Sequence, residues 1–489
     1  MREATVEIVG GGLAGSEAAW QVASRGIPVL LREMRPSRMT AAHRTDRLAE
    51  LVCSNSFRAD SIENAVGLLK REMRELGSLI MRAADQARVP AGAALAVDRG
   101  AFAGLVTGAL ERHPLVTIVR EEVAEIPLER PPSKPVIVAT GPLTSESMFA
   151  SITRLVGEDH LYFYDAVSPI VLAETIDTSI AFRQSRWQGG RAAAGASEAG
   201  PTGASCGDAS AEGDYLNCPL DEAQYARFYE ELTAASQVPL HDADEPRFFE
   251  GCLPIEVMAA RGVDTLRYGP MKPVGLRDPR TGRRPYAVVQ LRQDTLAGDH
   301  YSMVGFQTRL KWGEQARVFR LIPGLGEAEF VRFGMIHRNT YINAPRVLLP
   351  TWQTRLRPDV LIAGQVSGVE GYVESAASGL LAGLSAVALV SGREPVPPPR
   401  TTALGALAFY VSRADPRGYQ PANITFGIMA PIDETRRGGT AEAAQRARTA
   451  GMTRRRARRL DRSRAVAARA LKDLAVWRAT STLFQEARG

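Results

Sequence analysis

The chain contains 489 residues, of which 45% are hydrophobic and 23% are charged, and its formal net charge is +6. This length and apolar content support two or three domains with a substantial core, which excludes an unfolded polymer. The longest apolar stretch, Leu380 to Val390, is about half of the roughly 20 residues that span a bilayer. No secretory signal follows Met1, so we expect a cytoplasmic protein without a membrane anchor.

The N-terminal segment predicts a βαβ unit of about 30 residues. An apolar run from Val6 to Val9 predicts the first strand, Ser16 to Ser24 predicts a helix, and Val29 to Leu31 predicts the second strand. The turn between the first strand and the helix matches G-x-G-x-x-G, and its residues are Gly10, Gly11, Gly12, Leu13, Ala14 and Gly15.

Each glycine of this turn has a physical role in binding a dinucleotide. Gly10 permits the tight turn, Gly12 lets the backbone approach a pyrophosphate, and Gly15 lets the helix pack close to the strand. The helix N-terminus attracts the anion. Glu33 stands at the end of the second strand, at the usual distance of about 20 residues from the turn, where a carboxylate accepts the ribose hydroxyls. FAD and NAD share this pattern.

The middle of the chain predicts one long amphipathic helix and then a change of pattern. The helix runs from about Ser61 to Ala87, and Pro135 to Thr140 predicts another strand. From about Val167 to Gly324 the sequence becomes richer in proline and aromatic residues, which indicates an inserted domain. Within it, the stretch from Gly189 to Gly213 consists mostly of Gly, Ala and Ser, a composition that predicts a flexible loop.

The nucleotide-binding pattern returns late in the chain. A strand from Val360 to Ala363 leads into Gly364 and Gln365, and a helix starts at Tyr372. We therefore predict an α/β fold with a Rossmann-type FAD-binding domain, formed by residues 1–166 and 325–435 and interrupted by an inserted α+β domain at 167–324. The late return of the chain favours FAD, because flavoproteins of this architecture commonly close over the flavin ring with such a helix.

A basic helical tail is predicted at 436–489. From Ala441 to Gly489 there are 13 Arg or Lys against 4 Asp or Glu, so this part carries +9 and the rest of the chain −3. A basic appendage on a nearly neutral body indicates a polyanionic partner. The alternative is that the run from Arg454 to Arg459 is simply solvated.

The four cysteines are Cys53, Cys206, Cys218 and Cys252, and none belongs to a C-x-x-C pair. We therefore expect free thiols rather than a zinc site or a redox disulfide. The six histidines show no metal-binding spacing, so no metal is expected.

Longer motifs resemble one family, the bacterial folate- and FAD-dependent tRNA (uracil-5-)-methyltransferases. They are EMRP at 33–36, ELVCSNS at 50–56, DYLNCP at 214–219, FEGCLP at 249–254, GFQT at 305–308, EQARVF at 314–319, HRNTY at 337–341 and the segment 364–379. The Gly/Ala/Ser stretch before Asp214 and the arginine-rich tail depart from the family pattern, but neither touches a motif.

The resemblance implies methylation at C5 of a T-loop uridine, which forms 5-methyluridine. The implied one-carbon donor is methylenetetrahydrofolate, and the implied reductant is FAD that NAD(P)H has reduced. The implied partner is the T-arm of tRNA, and no obligate protein partner is expected. It also implies that Cys53 and Cys218 are the functional cysteines. We predict Cys218 as the nucleophile or its partner and Cys53 as a second, assisting thiol, and the residues alone leave open which of them attacks the ring.

The chemistry requires a thiolate, because uracil C5 is a poor nucleophile until a nucleophile adds at C6. Cys218 precedes Pro219, a residue favoured at the first position of a helix, and Asp221 to Ala235 continues as a plausible helix. A helix N-terminus would stabilise a thiolate, although Asp221 and Glu222 oppose that effect.

Two other functions are compatible with the sequence. A related FAD-dependent enzyme modifies the wobble uridine of tRNA, but it lacks the cysteine motif at 50–56 and has a longer C-terminal helical domain. A flavin-containing RNA-binding protein without turnover is an alternative from a different class, and in such a protein Cys218→Ala would leave the cellular role intact.

Overall fold

The computed structural model describes residues 6–40, 42–157, 161–186, 213–239, 248, 253–432 and 454–481. Nearly all of the predicted loop at 189–213, together with Cys206 and Cys252, lies outside these described residues.

The strands are β1 (Val6–Val9), β2 (Val29–Glu33), β3 (Ser56–Ala59), β4 (Arg88–Val89), β5 (Ala94–Val97), β6 (Val116–Arg120), β7 (Val136–Val138), β8 (Leu161–Ala166), β9 (Ile170–Leu172), β10 (Phe182–Arg183), β11 (Tyr215–Leu220), β12 (Ala287–Gln293), β13 (His300–Met303), β14 (Phe330–Arg332), β15 (Ile336–Tyr341) and β16 (Val360–Ile362). The helices are α1 (Leu13–Ala23), α2 (Ala65–Glu75), α3 (Leu79–Gln86), α4 (Arg99–Glu111), α5 (Glu146–Val156), α6 (Glu222–Ala234), α7 (Ile255–Ala259), α8 (Thr265–Tyr268), α9 (Trp312–Phe319), α10 (Ala344–Val347), α11 (Tyr372–Val390), α12 (Ala403–Arg413) and α13 (Arg454–Thr480). Short 3-10 turns occupy Ala173–Thr175, Gln365–Ser367 and Pro416–Gly418.

The first sheet is parallel and has the strand order β16-β7-β1-β2-β6. Residues of β1, β7 and β16 are buried throughout, as expected for parallel strands covered by helices on both faces. The strand β16 comes from the far end of the chain and pairs with β7. The chain thus contributes a late strand to its first sheet, and the predicted α/β Rossmann-type fold is confirmed.

The second sheet is antiparallel and has the order β10-β11-β12-β13-β9-β14. Its core includes residues from α6, α7 and α9 packed against the strands. The chain enters this part after β8 and leaves it before β15, and these two strands pair antiparallel, from Leu161 with Tyr341 to Ala166 with Ile336. We call the segment that holds the antiparallel sheet the second part of the molecule and the remainder, which holds the parallel sheet, the first part. Two adjacent strands, β8 and β15, connect the second part to the first.

The prediction of one continuous helix from Ser61 to Ala87 is wrong. The structure divides the segment into α2 and α3, because Gly77 adopts a left-handed φ of +74° and Ser78 begins a new helix. The Ser78 hydroxyl accepts a hydrogen bond from the Met81 backbone N–H at 3.1 Å, which is a helix N-cap.

The helix α11 starts at Tyr372, as predicted, and forms the centre of the first part. Its length and composition alone would allow it to cross a membrane, but 83% of its apolar window is buried inside the protein. It packs closely on α1, since a Cβ added at Gly379 would lie 2.1 Å from the Ala14 carbonyl oxygen. This close contact places the N-terminal ends of both helices at one cleft.

Candidate active site

The glycine turn between β1 and α1 has the geometry that the expected roles of Gly10, Gly12 and Gly15 require. Gly10 has a φ of +101°, and a Cβ added there would lie 2.5 Å from the Ala139 carbonyl oxygen. A Cβ at Gly15 would lie 1.8 Å from the Gly10 carbonyl oxygen. A Cβ at Gly12 would have no described atom within 4 Å, so the open space of the turn lies at the N-terminus of α1.

Glu33 lies at the end of β2 beside this turn. One carboxylate oxygen accepts a hydrogen bond from the Gly11 N–H at 2.7 Å, and the other accepts from the Arg35 side chain at 2.8 Å. Burial raises the pKa of Glu33, but the hydrogen bonds and charge of Arg35 and the backbone N–H donors outweigh it and lower the pKa below its ordinary value. Glu33 is therefore an ionised acceptor with lone pairs left for ribose hydroxyls.

A cleft with an empty volume of about 1020 Å³ begins at this turn. The predicted nucleotide-binding residues Gly10, Gly12, Leu13, Ala14, Glu33, Gly364 and Gln365 line it. Gly11 and Gly15 lie in the turn but not in the lining. Segments far apart in the chain, the first βα turn and the start of α11, thus form one cleft.

A second cavity, with an empty volume of about 1240 Å³, adjoins the first. It lies between the two sheets and is lined by Cys53, Arg58, Arg292 and Asn339, among others. Five residues line both cavities, and they are Val52, Pro142, Gln365, Tyr372 and Ser375. Cys53 therefore lies at the junction of the nucleotide cleft with a second large space.

The loop that carries Cys53 is fixed by Tyr372, the first residue of α11. The Tyr372 hydroxyl oxygen accepts hydrogen bonds from the backbone N–H of Cys53 at 2.7 Å and of Ser54 at 3.1 Å. The pKa of Tyr372 is raised, mainly by burial and to a smaller extent by the neighbouring Cys53 side chain. The phenol therefore stays protonated. Its own proton remains available to a further acceptor.

Three arginines surround the same loop. Arg99 donates to the Leu51 carbonyl oxygen at 3.1 Å and Arg332 to the Val52 carbonyl oxygen at 2.6 Å. Arg292 donates to the two side chains that follow the cysteine, at 3.0 and 2.9 Å. Burial lowers the pKa of Arg292, yet guanidinium groups remain charged in proteins. An anion formed in the second cavity therefore meets fixed positive charge.

Cys218 occupies a different environment from the one predicted. It lies in β11, paired with Val289 of β12, and its side chain is fully buried in the core of the second part. Burial raises the pKa of its thiol to about 12. The helix begins later, at Glu222, where Asp221 forms a capping box with Gln224. The predicted helix N-terminus at Cys218 is wrong, and Cys218 lines neither cavity.

Sequence reasoning missed Tyr372, Arg292 and Arg332 as parts of the site. The tyrosine was visible as the first residue of the helix, but its contact with Cys53 joins residues 319 positions apart. The arginines had no local motif to mark them. Among the described residues, no group of three or more His, Cys, Asp or Glu side chains has the geometry of a metal site.

Comparison with known proteins gives a consistent result. A family model described as "Glucose inhibited division protein A" matches residues 5–394. A protein of Heliobacterium modesticaldum named "Methylenetetrahydrofolate--tRNA-(uracil-5-)-methyltransferase TrmFO" is 56% identical over 434 residues, which cover 89% of this chain and 93% of that protein. A protein of the same name from Desulforudis audaxviator is 54% identical over 472 residues and covers 96% of this chain and 98% of its own length.

Solved structures show the same fold at much lower identity. The structure of Aquifex aeolicus GidA in its form II crystal superposes with a TM-score of 0.64 at 17% identity, covering 98% of this chain and 75% of that chain. The form I crystal gives the same TM-score at 18% identity and covers 98% and 78%.

Proposed function

The chain belongs to the family of methylenetetrahydrofolate-dependent tRNA (uracil-5-)-methyltransferases, and we propose that it forms 5-methyluridine in the T-loop of tRNA. The one-carbon donor is methylenetetrahydrofolate, and NAD(P)H is the source of electrons for bound FAD. The single observation that carries this proposal is the position of Cys53, a thiol at the junction of the nucleotide cleft and a second cavity of about 1240 Å³.

The residues of the first cleft fit FAD. The open space at Gly12 and the N–H groups of the first turn of α1 suit a pyrophosphate, and ionised Glu33 suits the ribose. Gly364 and Gln365 extend the cleft toward α11. Bound FAD supplies the redox and one-carbon transfer chemistry, while the residues of this chain hold the reactants and move protons.

We assign the attack on uracil to Cys53. Its thiolate forms a bond to C6, and the electrons of the C5–C6 double bond move toward the C4 oxygen, which makes C5 nucleophilic. Arg292 and Arg332 lie beside the Cys53 loop and stabilise the negative charge that develops. After C5 has gained the methylene unit, the C5 proton passes to a base and Cys53 leaves as a thiolate, which restores the C5–C6 double bond. Turning the methylene unit into a methyl group takes two electrons, which reduced flavin would supply.

This assignment revises the roles expected for the two cysteines. In this conformation the Cys218 thiol is 0% exposed and held neutral by its apolar surroundings, whereas a nucleophile must reach its substrate as a thiolate. We propose that Cys218 packs the core of the second part and that Cys53 reacts.

The proposal is tested by methyl transfer in vitro. Purified flavin-loaded protein receives an unmodified tRNA transcript, methylenetetrahydrofolate and NADPH or NADH, and the digested RNA is examined for 5-methyluridine. We expect the product in the T-loop, dependent on folate and absent from a transcript in which that uridine is cytidine. Cys53→Ala abolishes the product with flavin still bound, while the matched variant Cys218→Ala retains it.

Other outcomes are equally informative. Modification confined to the wobble uridine would show the related activity instead. A protein that binds tRNA and flavin but leaves every uridine unchanged would be a binding protein without catalysis.

A further inference from the structure

The tail helix α13 is docked on the first part of the molecule along an apolar stripe. Side chains of this stripe recur at helical spacing and are buried, and they are Ala457, Val466, Ala467, Ala470, Leu474 and Trp477. All but the first belong to the same continuous core as α1 and α11. The helix is therefore a folded element of the protein and not a free extension.

Three arginines of the helix contact the protein itself. Arg464 forms an ion pair with Glu63 at 2.7 Å. Arg469 donates to the Pro431 carbonyl oxygen at 2.6 Å, and Arg478 donates to a carbonyl oxygen at the end of α2 at 3.0 Å. These contacts fix the orientation of α13 on the body.

Four other basic residues of α13 make no such contacts. We call Arg458, Arg459, Arg462 and Lys472 the basic face of α13, and all four side chains are exposed. None of them forms an ion pair or hydrogen bond with the part of the chain that the structure describes. Arg458 and Lys472 are 14 positions apart, so the face extends along about 21 Å of helix. This positive charge is not used to stabilise the described part of the fold.

We propose that the basic face of α13 binds the phosphate backbone of the substrate tRNA, an inference that rests on the proposed function. Exposed Arg and Lys side chains neutralise the phosphates of a nucleic-acid backbone and release its counterions, which favours binding. An anionic membrane surface is the other polyanion to consider. Binding there by an amphipathic helix needs a free apolar face, and the apolar stripe of α13 is already buried against the protein.

The helix also lies near the second cavity. Arg464 is paired with Glu63, and Glu63 follows Arg58, a lining residue of that cavity, by five positions. The Cα atoms of Arg58 and Glu63 are therefore at most about 18 Å apart. This arrangement lets one tRNA contact both the cavity and the N-terminal half of α13.

The test measures tRNA affinity as a function of salt. Flavin-loaded full-length protein is titrated with an unmodified tRNA transcript between 50 and 300 mM KCl, a range over which phosphate contacts dominate. The variant R458Q/R459Q/R462Q/K472Q removes four charges and keeps polar side chains at all four positions. The matched control, R458K/R459K/R462K, keeps all charges.

We expect the neutral variant to reduce the slope of log Kd against log salt by about three, because each phosphate contact contributes about 0.7 to 0.9. Its KM for tRNA rises about tenfold at 100 mM salt, while kcat at saturating tRNA stays unchanged. The lysine control behaves like the wild type. Unchanged flavin content and circular dichroism show that the fold is retained.

A neutral variant with the wild-type salt slope would overturn the inference while leaving the methyltransferase proposal intact. Loss of binding to phosphatidylserine vesicles with unchanged tRNA affinity would overturn it too and assign the face to membranes. If the neutral variant shows the expected slope change yet the wild type forms no 5-methyluridine, the tRNA contact holds and the proposed function fails.

Discussion

Alanine at Gly12 and alanine at Gly15 should affect different properties of the protein. We expect Gly12→Ala to weaken binding of the cofactor and Gly15→Ala to lower the stability of the fold. The two positions are three apart in the same turn, and alanine is the substitution at both. Their surroundings differ, since a Cβ at Gly15 would lie 1.8 Å from the Gly10 carbonyl oxygen and a Cβ at Gly12 has no described atom within 4 Å.

The magnitudes follow from these distances. For Gly15→Ala, α1 must move by more than about 1 Å, and such overpacking costs roughly 1–3 kcal/mol, or more where the backbone cannot shift. The higher helix propensity of alanine offsets only about 1 kcal/mol of this destabilisation. Gly12 has a φ of −71°, which any residue adopts, so Gly12→Ala changes the unfolding free energy by no more than about 0.5 kcal/mol.

The assay is thermal unfolding of each deflavinated protein with and without added FAD. At a FAD concentration of 100 times Kd, binding stabilises the wild type by about 2.7 kcal/mol. In Gly12→Ala the methyl group occupies the space beside the helix N-terminus that a pyrophosphate needs. We expect this variant to unfold at the wild-type temperature without FAD and to gain little from it, whereas Gly15→Ala unfolds earlier in both conditions.

Two results would refute this reasoning. If Gly12→Ala retained the full stabilisation by FAD, the open space at the turn would not be where the pyrophosphate binds. If Gly15→Ala were as stable as the wild type, the contact between α1 and the turn would be looser than the structure shows.

Three further outcomes are expected. Tyr372→Phe leaves the N–H groups of Cys53 and Ser54 without their acceptor, so kcat falls while flavin content is kept, and an unchanged kcat would refute its positioning role. Cys218→Ser lowers the unfolding temperature more than Cys218→Ala, because its hydroxyl is buried in an apolar core, and equal temperatures would argue against that core. Burial raises the pKa of Glu72 to about 8 from 4.5, so its contribution to stability is complete below pH 4.5 and is lost as the pH rises through 8. Denaturant unfolding should show the unfolding free energy falling by about 1.4 kcal/mol per pH unit between pH 4.5 and about pH 8. If Glu72→Gln shows the same slope, the pH dependence belongs to other groups.

Cys218 shows where local sequence reasoning reached its limit. A proline after the cysteine is typical of a helix start, but Pro219 lies in β11, which pairs with β12 over its whole length. The other neighbour, β10, pairs with Leu216 and Asn217. The proline is tolerated because no described strand requires its missing N–H on that side. Pairing with a strand far along the chain decided the structure, and no local pattern indicates it.

The sequence by itself determined the nucleotide turn, its acidic residue Glu33 and the start of α11. These features depend on steric and electrostatic rules that act over short stretches of chain, such as the absence of a Cβ at Gly10 or the strand-turn-helix order. Only the tertiary structure decided that Cys53 meets Tyr372, that Asn55 meets Arg292, and that Cys218 is in a core. The first two contacts join residues 319 and 237 positions apart, and they form because the apolar faces of distant elements must be buried together.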